Sequence, residues 1–571
     1  MGVDAARAEQ YAELGLWTDE RIGDLIGRQA ARFPERELFC FNERRVAYGQ
    51  FSSWVDGVAA TMVAHGVQRH DRVLVQLPNC LEALVLQAAA FRIGAINVPV
   101  VPIYREHETE QIIADSRPAV IAVAHTLGSR HPHAETDAAL ERLGHAPRVK
   151  FLIGGEQPGW TAVTQKGIDA DIALPEPLPA EEPALILYTS GTTSAPKGAL
   201  LSSRALIAHL RNYAGVMNLD ETTVLAAATP LSHLGGFVAG LVMPAYLGAR
   251  AVILPGWNAD EAVGVIQRER VTVMMGATIF LQELIDRYAA GAGEMHRLRS
   301  YQCAGSTIPP TLIRDAAAVG ISATRNYGMT ETAGICTAAN ESDPLEQRAE
   351  WDGRMLPGME IEAVDELRQP LPEGRIGELR IRGPQLFDGY TDPVVTASQT
   401  DNAGFFYPGD VGEVKDGWVR MTGRSKDIIN RGGEKFSTQD IEAALLSHPD
   451  VARAAVTAIP DERFGEGVGA WVALRDGVQW GGAQLYLRHL DELKMARAKF
   501  PVEWHVVADI PTTMSGKIQK FRLTDLPDLA TEFNAHLDTG SDTHDNGNDT
   551  DDNGNDTDEN GNDSTAAVPA R

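Results

Sequence analysis

Cysteine, basic residues and long apolar runs are all scarce in this chain. Its 571 residues include four cysteines without a C-x-x-C pair, so neither a zinc site nor a disulfide framework is indicated. The formal net charge is −27, and lysine and arginine are not clustered, which argues against a nucleic-acid partner. The most apolar window, VAGLVMPAYLGARAVILPG, is interrupted by Pro244 and Arg250 and falls short of a membrane span.

The beginning of the chain also lacks an apolar core. The first thirty residues are charged throughout, so we expect no secretory signal. Because the most apolar window is too short to span a bilayer, we also expect no integral membrane segment. We read the cysteines as free thiols in a reducing compartment, which favours a cytoplasmic protein. An apolar fraction of 44% and a charged fraction of 23% are ordinary for a soluble globular enzyme.

The order of apolar patterns predicts an α/β fold. Residues 72–380 alternate short β-branched runs with helical patterns, as expected for parallel-type sheets flanked by helices. From about residue 360, short strands and many glycines indicate a β-rich subdomain. After residue 427, a helix capped by Ser437 and several strands predict a small α+β unit. The expected divisions are an N-terminal domain over 1–423, a joint over 424–427, a mobile C-terminal domain over 428–537 and an acidic tail over 538–571.

The tail is a low-complexity repeat. Residues 538–571 contain ten acidic residues and one basic residue, and three seven-residue units rich in Asp, Asn and Gly fill 544–564. Because the repeat has no apolar positions, we expect it to be disordered. A solvating tail is the favoured interpretation, and weak divalent-cation binding by the Asp and Asn oxygens is the alternative.

A turn-prone segment near the middle of the chain has the composition of a phosphate loop. YTSGTTSAPKG, residues 188–198, combines hydroxyl side chains, glycines and a lysine directly after an apolar run. Hydroxyls and backbone N–H groups can bind phosphate oxygens, and glycine lets the backbone approach closely. The Walker pattern does not fit, because Lys197 precedes its glycine.

Four further segments carry glycine, hydroxyl and charged residues. Together with the loop, in this order and spacing, they resemble the acyl-adenylate-forming superfamily, which includes acyl-CoA synthetases, peptide-synthetase adenylation domains and firefly luciferase. The resemblance covers roughly residues 15–525 and is greatest to fatty or aryl acid CoA ligases. It implies activation of a carboxylic acid on the α-phosphorus of ATP, followed by transfer of the acyl group to a thiol. The segments are RNYGMTET at 325–332, YPGD at 407–410, TGRSKDIINRGGEKFS at 422–437 and PTTMSGKIQK at 511–520.

The resemblance implies roles for the nucleotide-binding residues. It assigns Tyr327 to stacking on adenine, Thr330 to the α-phosphate and Glu331 to Mg²⁺, an ion that proteins usually hold with one or two carboxylates. Asp410 would accept the ribose hydroxyls, and Arg424 would reach the ribose and phosphates. The full expected set is Thr189, Ser190, Gly191, Thr192, Thr193, Lys197, Gly305, Ser306, Thr307, Asn326, Tyr327, Gly328, Thr330, Asp410, Arg424 and Lys517.

The resemblance also implies two poses of the C-terminal domain. Lys426 lies at the family's hinge position, where a few residues absorb the change in backbone angles. In one pose, Lys517 would bridge the charge that develops between the carboxylate and the α-phosphate. In the other pose, Gly432, Gly433 and Lys435 would line a passage for the pantetheine arm of CoA. The expected catalytic residues are Lys517, Thr330 and His233.

The acyl pocket is expected from the segments 232–241, 301–307 and 328–336. The only charged side chain in them is Glu331, so the pocket suits an apolar acid. His233 occupies a family position whose side chain is thought to move between the half-reactions, and a hydrogen-bonded structural histidine is the alternative. The expected pocket residues are His233, Gly236, Phe237, Ala304 and Ile335.

These expectations predict an acid–thiol ligase that uses ATP, Mg²⁺ and CoA. Its substrate would be a medium-chain, alicyclic or aromatic monocarboxylate, because the pocket segments lack the aspartate that amino-acid-activating domains use for an ammonium group. Two alternatives stay open: a stand-alone ligase that loads a carrier protein, and a catalytically silent nucleotide-binding protein. A homodimer is also left open.

Overall fold

The helices and strands follow most of the predicted pattern. The computed structural model describes residues 5–164, 172–189, 196–292, 298–304, 308–424, 427–431, 434–461, 464–493, 495–512 and 518–533. Short 3₁₀ turns cover Ile22–Asp24, Thr330–Thr332, Arg497–Lys499 and Lys520–Asp525, and a π-helical turn covers Val238–Val242. The α-helices are α1 (Ala5–Glu13), α2 (Leu25–Arg32), α3 (Tyr48–Ala64), α4 (Leu81–Arg92), α5 (Glu106–Ser116), α6 (Pro132–Leu143), α7 (Ser203–Val216), α8 (Leu234–Phe237), α9 (Met243–Leu247), α10 (Ala259–Glu269), α11 (Thr278–Ala289), α12 (Pro310–Ala318), α13 (Leu345–Glu350), α14 (Pro393–Ser398), α15 (Thr438–Leu446) and α16 (Ala483–Glu492).

The strands are short and come from the whole described length of the chain. They are β1 (Glu37–Phe41), β2 (Arg44–Ala47), β3 (Arg72–Gln76), β4 (Ile96–Pro99), β5 (Val120–Ala124), β6 (Val149–Ile153), β7 (Thr161–Ala162), β8 (Pro183–Thr189), β9 (Lys197–Ser202), β10 (Val224–Ala227), β11 (Arg250–Ile253), β12 (Val273–Gly276), β13 (Ser300–Cys303), β14 (Ala323–Arg325), β15 (Gly328–Met329), β16 (Gly334–Ile335), β17 (Thr337–Ala338), β18 (Arg354–Met355), β19 (Glu360–Val364), β20 (Gly377–Arg382), β21 (Gly389–Tyr390), β22 (Asp410–Lys415), β23 (Trp418–Arg424), β24 (Ile428–Arg431), β25 (Glu434–Ser437), β26 (Val451–Asp461), β27 (Gly465–Leu474), β28 (Glu503–Val507) and β29 (Asp528–Phe533).

Two large sheets carry most of the core. One has the strand order β14-β13-β12-β10-β11-β1-β2 and is parallel except for the β1–β2 pair. The other has the order β21-β9-β8-β4-β3-β5-β6-β7 and becomes antiparallel where β8, β9 and β21 pair. Their strands are buried apolar runs connected by helices, which is the pattern of sheets covered on both faces. The predicted α/β class is therefore confirmed.

The region after residue 336 is built from antiparallel strands. Its sheet has the order β17-β18-β23-β22-β20-β19, and the β22–β23 hairpin places Asp410 opposite Arg424. This sheet corresponds to the β-rich texture predicted from about residue 360, although its first strands come earlier in the chain. The sheet thus brings a predicted ribose-binding residue next to a predicted phosphate-binding one.

The strands after residue 427 form a sheet of their own. Its order is β25-β24-β27-β28-β29, with β26 also paired to β27. Ser437 caps α15, because its hydroxyl accepts from the backbone N–H of Gln439 at 3.1 Å. The helix α16 and strand β28 follow as predicted, whereas β29 lies beyond the segments that gave a family signal. The boundaries of the two domains stay a prediction.

Other predictions about the chain can be compared directly with the structure. The sequence pattern of an Asn before an amphipathic run, with Glu three residues later, is typical of a helix cap, and Asn258 caps α10 by accepting from the N–H of Glu261 at 3.0 Å. The cysteines Cys40, Cys80, Cys303 and Cys336 are free thiols. In the part of the chain that the structure describes, no helix has the length and apolar character that a membrane span requires.

Candidate active site

The aromatic ring and the acid predicted to hold adenosine meet in one cluster. Tyr327 follows β14, and its buried phenol donates to Asp410 Oδ2 at 2.7 Å. The other carboxylate oxygen, Oδ1, lies 3.0 Å from Nε of Arg424. Burial, followed by the charge of Asp410, raises the pKa of Tyr327, so its phenol stays protonated and acts as a donor. Three predicted nucleotide residues are therefore brought together.

Asn326 connects this cluster to the end of β13. Its backbone N–H donates to the carbonyl of Cys303 at 3.0 Å, and its side-chain Nδ2 approaches the same carbonyl at 3.3 Å. Asn326 is buried, and its Oδ1 has no hydrogen-bond partner among the described residues. That oxygen is therefore free to accept a hydrogen bond from a ligand. Ala304 follows directly and packs against the core, while Gly305, Ser306 and Thr307 lie outside the described residues.

Glu331, the predicted metal ligand, is a buried carboxylate oriented by a tyrosine. It lies in the 3₁₀ turn Thr330–Thr332, and its Oε1 accepts from the phenol of Tyr390 at 2.7 Å. Burial raises the pKa of Glu331, and the hydrogen bond from Tyr390 acts in the opposite direction. Lys197 Nζ lies 5.7 Å from the centre of the Tyr390 ring, so the predicted loop lysine reaches the same place.

The flanks of the predicted phosphate loop are held by a hairpin. β8 and β9 are antiparallel, and Thr189 pairs with Lys197. The phenol of Tyr188 donates to Asp115 Oδ2 on α5 at 2.5 Å, which fixes the end of β8 to a neighbouring helix. The predicted ligands between these flanks lie outside the described residues: Ser190, Gly191, Thr192 and Thr193.

Three predicted acyl-pocket residues, His233, Gly236 and Phe237, lie in or next to α8. The exposed side chain of His233 caps this short helix, because its Nδ1 accepts from the N–H of Gly235 at 3.3 Å. A Cβ at Gly236 would come within 2.1 Å of the carbonyl oxygen of Pro230, so only glycine fits there. The following Phe237 is buried, with its ring centroid 5.9 Å from that of Phe91.

The remaining wall of the predicted pocket comes from a tight β-hairpin. Gly328 pairs with Ile335, and Met329 pairs with Gly334. A Cβ at Gly328 would lie 2.3 Å from the backbone of Gly334 and Ile335, so the close approach of the two strands requires glycine. Thr330 and Glu331 lie at the turn of this hairpin, which places the predicted phosphate and metal residues beside the acyl wall.

The predicted residues of the C-terminal segment are only partly described. Lys435 lies on β25, with its backbone paired to Asn430 on β24. The hinge, passage and catalytic residues Lys426, Gly432, Gly433 and Lys517 lie outside the described residues.

Some residues at the site were not found by sequence reasoning. Tyr390 reaches Glu331 because β21 pairs with β9, and its DGY context has no pattern that marks a metal-site partner. Arg325 and Asp352 form a buried bidentate pair at 2.9 and 3.1 Å, which ties β14 to the antiparallel sheet. Either residue alone would be expected on the surface, so only the fold identifies the pair.

Comparison with known proteins agrees with this arrangement. The sequence profile of the AMP-binding enzyme family matches residues 26–391. The chain belongs to this family. The profile of the AMP-binding enzyme C-terminal domain matches residues 440–517 of this AMP-binding enzyme. The resemblance to adenylate-forming enzymes, and the prediction of an enzyme, are thereby confirmed.

Individual relatives cover nearly the whole chain. It is 32% identical over 525 residues to the medium-chain fatty-acid–CoA ligase of Escherichia coli, covering 90% of this chain and 92% of that protein. It is 30% identical over 512 residues to the indoleacetate–CoA ligase of Aromatoleum aromaticum, covering 89% and 97%. The fold matches ATP-bound MatB from Rhodopseudomonas palustris with a TM-score of 0.78 at 27% identity, covering 88% and 98%.

Proposed function

We propose that this AMP-binding enzyme is an ATP-dependent acyl-CoA synthetase for an apolar monocarboxylate. It would form an acyl-AMP intermediate and transfer the acyl group to CoA. The proposal rests on the hydrogen-bonded cluster of Tyr327, Asp410 and Arg424. Tyr327 lies on the same short segment as Thr330 and Glu331, so the residues proposed to bind adenosine are next to those proposed to bind the α-phosphate and Mg²⁺. Two relatives, which are named for a medium-chain fatty acid and for indoleacetate, support an apolar acid and CoA as substrates.

The first half-reaction needs alignment and charge neutralisation rather than a protein nucleophile. A carboxylate oxygen of the acid attacks the α-phosphorus of ATP, and the bond from that phosphorus to pyrophosphate breaks. Tyr327 would stack on adenine, and Asp410 would accept from the ribose hydroxyls. Thr330 would donate to the α-phosphate, while Arg424 offsets its negative charge.

The environment of Glu331 fits one bound Mg²⁺. The buried carboxylate has one oxygen oriented by Tyr390, and its raised pKa reflects a charge that lacks solvent. Among the described residues, no group of three or more His, Cys, Asp and Glu could hold a metal ion. A single carboxylate completed by phosphate oxygens and water is a usual arrangement for Mg²⁺ with a nucleotide. When bound, the ion would offset charge on the departing pyrophosphate.

The second half-reaction would follow a rotation of the C-terminal domain about Lys426. Before the rotation, Lys517 would lie at the α-phosphate. After it, Gly432, Gly433 and Lys435 would line the path of the pantetheine arm, and His233 would move aside to admit the thiol. The thiol of CoA loses its proton to solvent, its sulfur bonds to the acyl carbon, and AMP leaves with the electrons of the broken carbon–oxygen bond. This scheme supports a division near 424–427 between the two proposed domains.

The proposal is tested by measuring both half-reactions with a panel of acids. We expect pyrophosphate release that depends on a medium-chain, alicyclic or aromatic acid, and acyl-CoA formation when CoA is added. Glu331→Ala serves as the inactive control, because it removes the proposed Mg²⁺ ligand. If pyrophosphate release depends on the acid but only a carrier protein accepts the acyl group, the acceptor is the carrier protein and not CoA. The absence of pyrophosphate release with every acid of the panel would contradict the proposed enzyme.

A further inference from the structure

Two polar rings lie together in the interior on α7. His209 and Tyr213 are four residues apart, so both project from one side of the helix. Their rings are stacked, with centroids 5.9 Å apart and planes inclined by 13°. The exposed fraction is 1% for His209 and 0% for Tyr213. Both side chains are therefore fully removed from solvent.

The fold makes little use of the polar atoms of these two rings. The ring nitrogens of His209 and the phenol oxygen of Tyr213 have no well-formed hydrogen bond among the described residues, and the polar group closest to acting on the imidazole is the backbone of Ile335. A buried polar group without a partner costs about 1–3 kcal/mol. Leucine and phenylalanine would fill the same space without that cost. A bound molecule that forms hydrogen bonds with these polar atoms would explain why the two positions hold His and Tyr.

The imidazole lies directly against the proposed acyl wall. A Cβ at Gly334 would come within 2.6 Å of Nε2 of His209, so this ring edge touches the bare backbone there. Gly334 pairs with Met329, the residue before the turn that carries Thr330 and Glu331. The unpartnered nitrogens therefore lie within one hairpin of the residues proposed to hold the α-phosphate.

A second buried amide fixes the position of this wall. Gln385 Nε2 donates to the carbonyls of Thr332 and Ile335 at 3.0 and 2.7 Å. The second of these bonds goes to the carbonyl of Ile335, the residue whose backbone also acts on the imidazole of His209. The side-chain oxygen of Gln385 also lacks a partner among the described residues, so the surroundings of Gly334 are more polar than the sequence suggests.

The charge state of His209 limits what it can recognise. Burial lowers the pKa of His209 to about 4, and the nearby backbone of Ile335 raises it only in part. The ring is therefore neutral at pH 7, with one N–H donor and one nitrogen acceptor. Burial also raises the pKa of Tyr213, which keeps its phenol protonated. A neutral His209 therefore favours a neutral substrate group as its partner over a second carboxylate group on the acid substrate.

We propose that His209, backed by Tyr213, is a specificity-determining residue that hydrogen-bonds a neutral hydroxyl or N–H group carried by an otherwise apolar acyl substrate. This inference rests on the proposed function, since it places the acyl group against Gly334. It narrows the substrate class to monocarboxylates with one such substituent on the chain or ring. A site built to pair a substrate hydroxyl discriminates strongly against the analogue that lacks it.

The test compares acids in matched pairs. Phenyl and hydroxyphenyl acids, and plain and hydroxylated medium-chain acids with the hydroxyl at successive positions, are assayed for kcat/KM of pyrophosphate release. We expect the wild type to prefer the hydroxylated acid of at least one pair by tenfold or more. His209→Phe keeps the stack on Tyr213 but removes both nitrogens, so the preference should fall to near one. Tyr213→Phe should reduce it by a smaller factor.

Two further variants keep the result interpretable. Tyr288→Phe removes another buried phenol whose oxygen lacks a partner among the described residues, but Tyr288 lies on α11 in a separate apolar cluster. It should leave the preference unchanged. His209→Leu repeats the deletion with a different shape, in case His209→Phe does not fold.

The outcomes separate this inference from the proposed function. Activation of plain and hydroxylated acids at equal rates, or a preference that survives in His209→Phe and His209→Leu, overturns the inference and leaves the synthetase proposal standing. In the latter case, water or another protein group forms the hydrogen bonds of the His209 nitrogens. If no acid supports pyrophosphate release in the wild type, both proposals are wrong.

Discussion

The phenol of Tyr327 donates to Asp410 across 83 residues of sequence, and the distance from its oxygen to Asp410 Oδ2 is 2.7 Å. Arg424, on the neighbouring strand, forms an ion pair with the other carboxylate oxygen of Asp410. The carboxylate of Asp410 is thus held by the neutral phenol of Tyr327 and by the guanidinium of Arg424. Both contacts orient the carboxylate that is proposed to bind the ribose.

Asp410→Asn should weaken ATP binding more than Tyr327→Phe does. The first variant removes the charge that pairs with Arg424 and the proposed ribose acceptor, whereas the second removes one hydrogen bond to a charged group. Such a bond is worth about 1.5–3 kcal/mol, so Tyr327→Phe should raise KM for ATP by roughly ten- to a hundredfold. Acid-dependent ATP–pyrophosphate exchange measures both values. An unchanged KM in Asp410→Asn would contradict the ribose role.

Tyr390→Phe should move the acid limb of the pH–rate profile upward. Burial raises the pKa of Glu331, and the hydrogen bond from Tyr390 lowers it, so removal of the phenol lets that pKa rise further. The carboxylate would then be protonated at a higher pH and would hold Mg²⁺ less well. We expect the acid limb of kcat/KM for ATP, measured at limiting Mg²⁺, to move to higher pH. A profile identical to that of the wild type would show that Tyr390 does not tune Glu331.

The sequence predicted the elements that depend on local pattern. Asn258 and Ser437 cap their helices as expected, because a cap is a contact between residues two or three positions apart. Tyr327, Asp410 and Arg424 were named together through the family resemblance, and the structure brings their side chains into contact, while their roles toward the nucleotide stay a prediction. Composition alone marks Asp410 as a turn residue.

Contacts that depend on distant pairings could not be predicted. Tyr390 meets Glu331 only because β21 adds to the edge of β9. The strand β29, which pairs with β28, exposes Leu529 and Phe533 and so lacks the buried alternation that identifies a strand. His209 sits in an ordinary amphipathic helix, where an unpartnered imidazole looks the same in sequence as a hydrogen-bonded one.

Tyr188→Phe should weaken the binding of ATP phosphates without touching a predicted ligand. Tyr188 is bonded to Asp115, and this contact fixes the end of β8 from which the predicted phosphate loop departs. We expect KM for ATP to rise severalfold while KM for the acid stays within twofold. Asp115→Asn should give the same pattern, since it weakens the same bond. If thermal stability falls while KM for ATP is unchanged, the hydrogen bond between Tyr188 and Asp115 has a structural role only.

Lys517→Ala should abolish adenylation and largely spare thioester formation from synthetic acyl-AMP. The expectation follows from its proposed role at the α-phosphate in one pose only. Lys520→Ala is the matched control, because Lys520 Nζ is bonded to Glu442 at 2.8 Å within the C-terminal sheet and helix unit. It should lower stability and leave the ratio of the two half-reaction rates unchanged. Equal loss of both half-reactions in Lys517→Ala would argue against the two-pose scheme.

Acidification should destabilise the wild type more than it destabilises His209→Phe. Burial holds the pKa of His209 at about 4 in the folded protein, against an ordinary value near 6.5. Between these values the unfolded chain binds a proton at this site and the folded chain does not, so the contribution is present above pH 6.5 and is lost as the pH falls.

A drop from pH 6.5 to pH 5 should therefore cost the wild type about 2 kcal/mol more than the variant. Thermal unfolding midpoints of both proteins are measured in parallel at pH 7, 6 and 5, and the midpoint of the wild type should fall further than that of the variant as the pH falls. The variant removes only this titrating group, and the many exposed carboxylates are common to both proteins, so their effects cancel in the difference. Midpoints that fall in parallel would mean that His209 titrates normally and already has a polar partner.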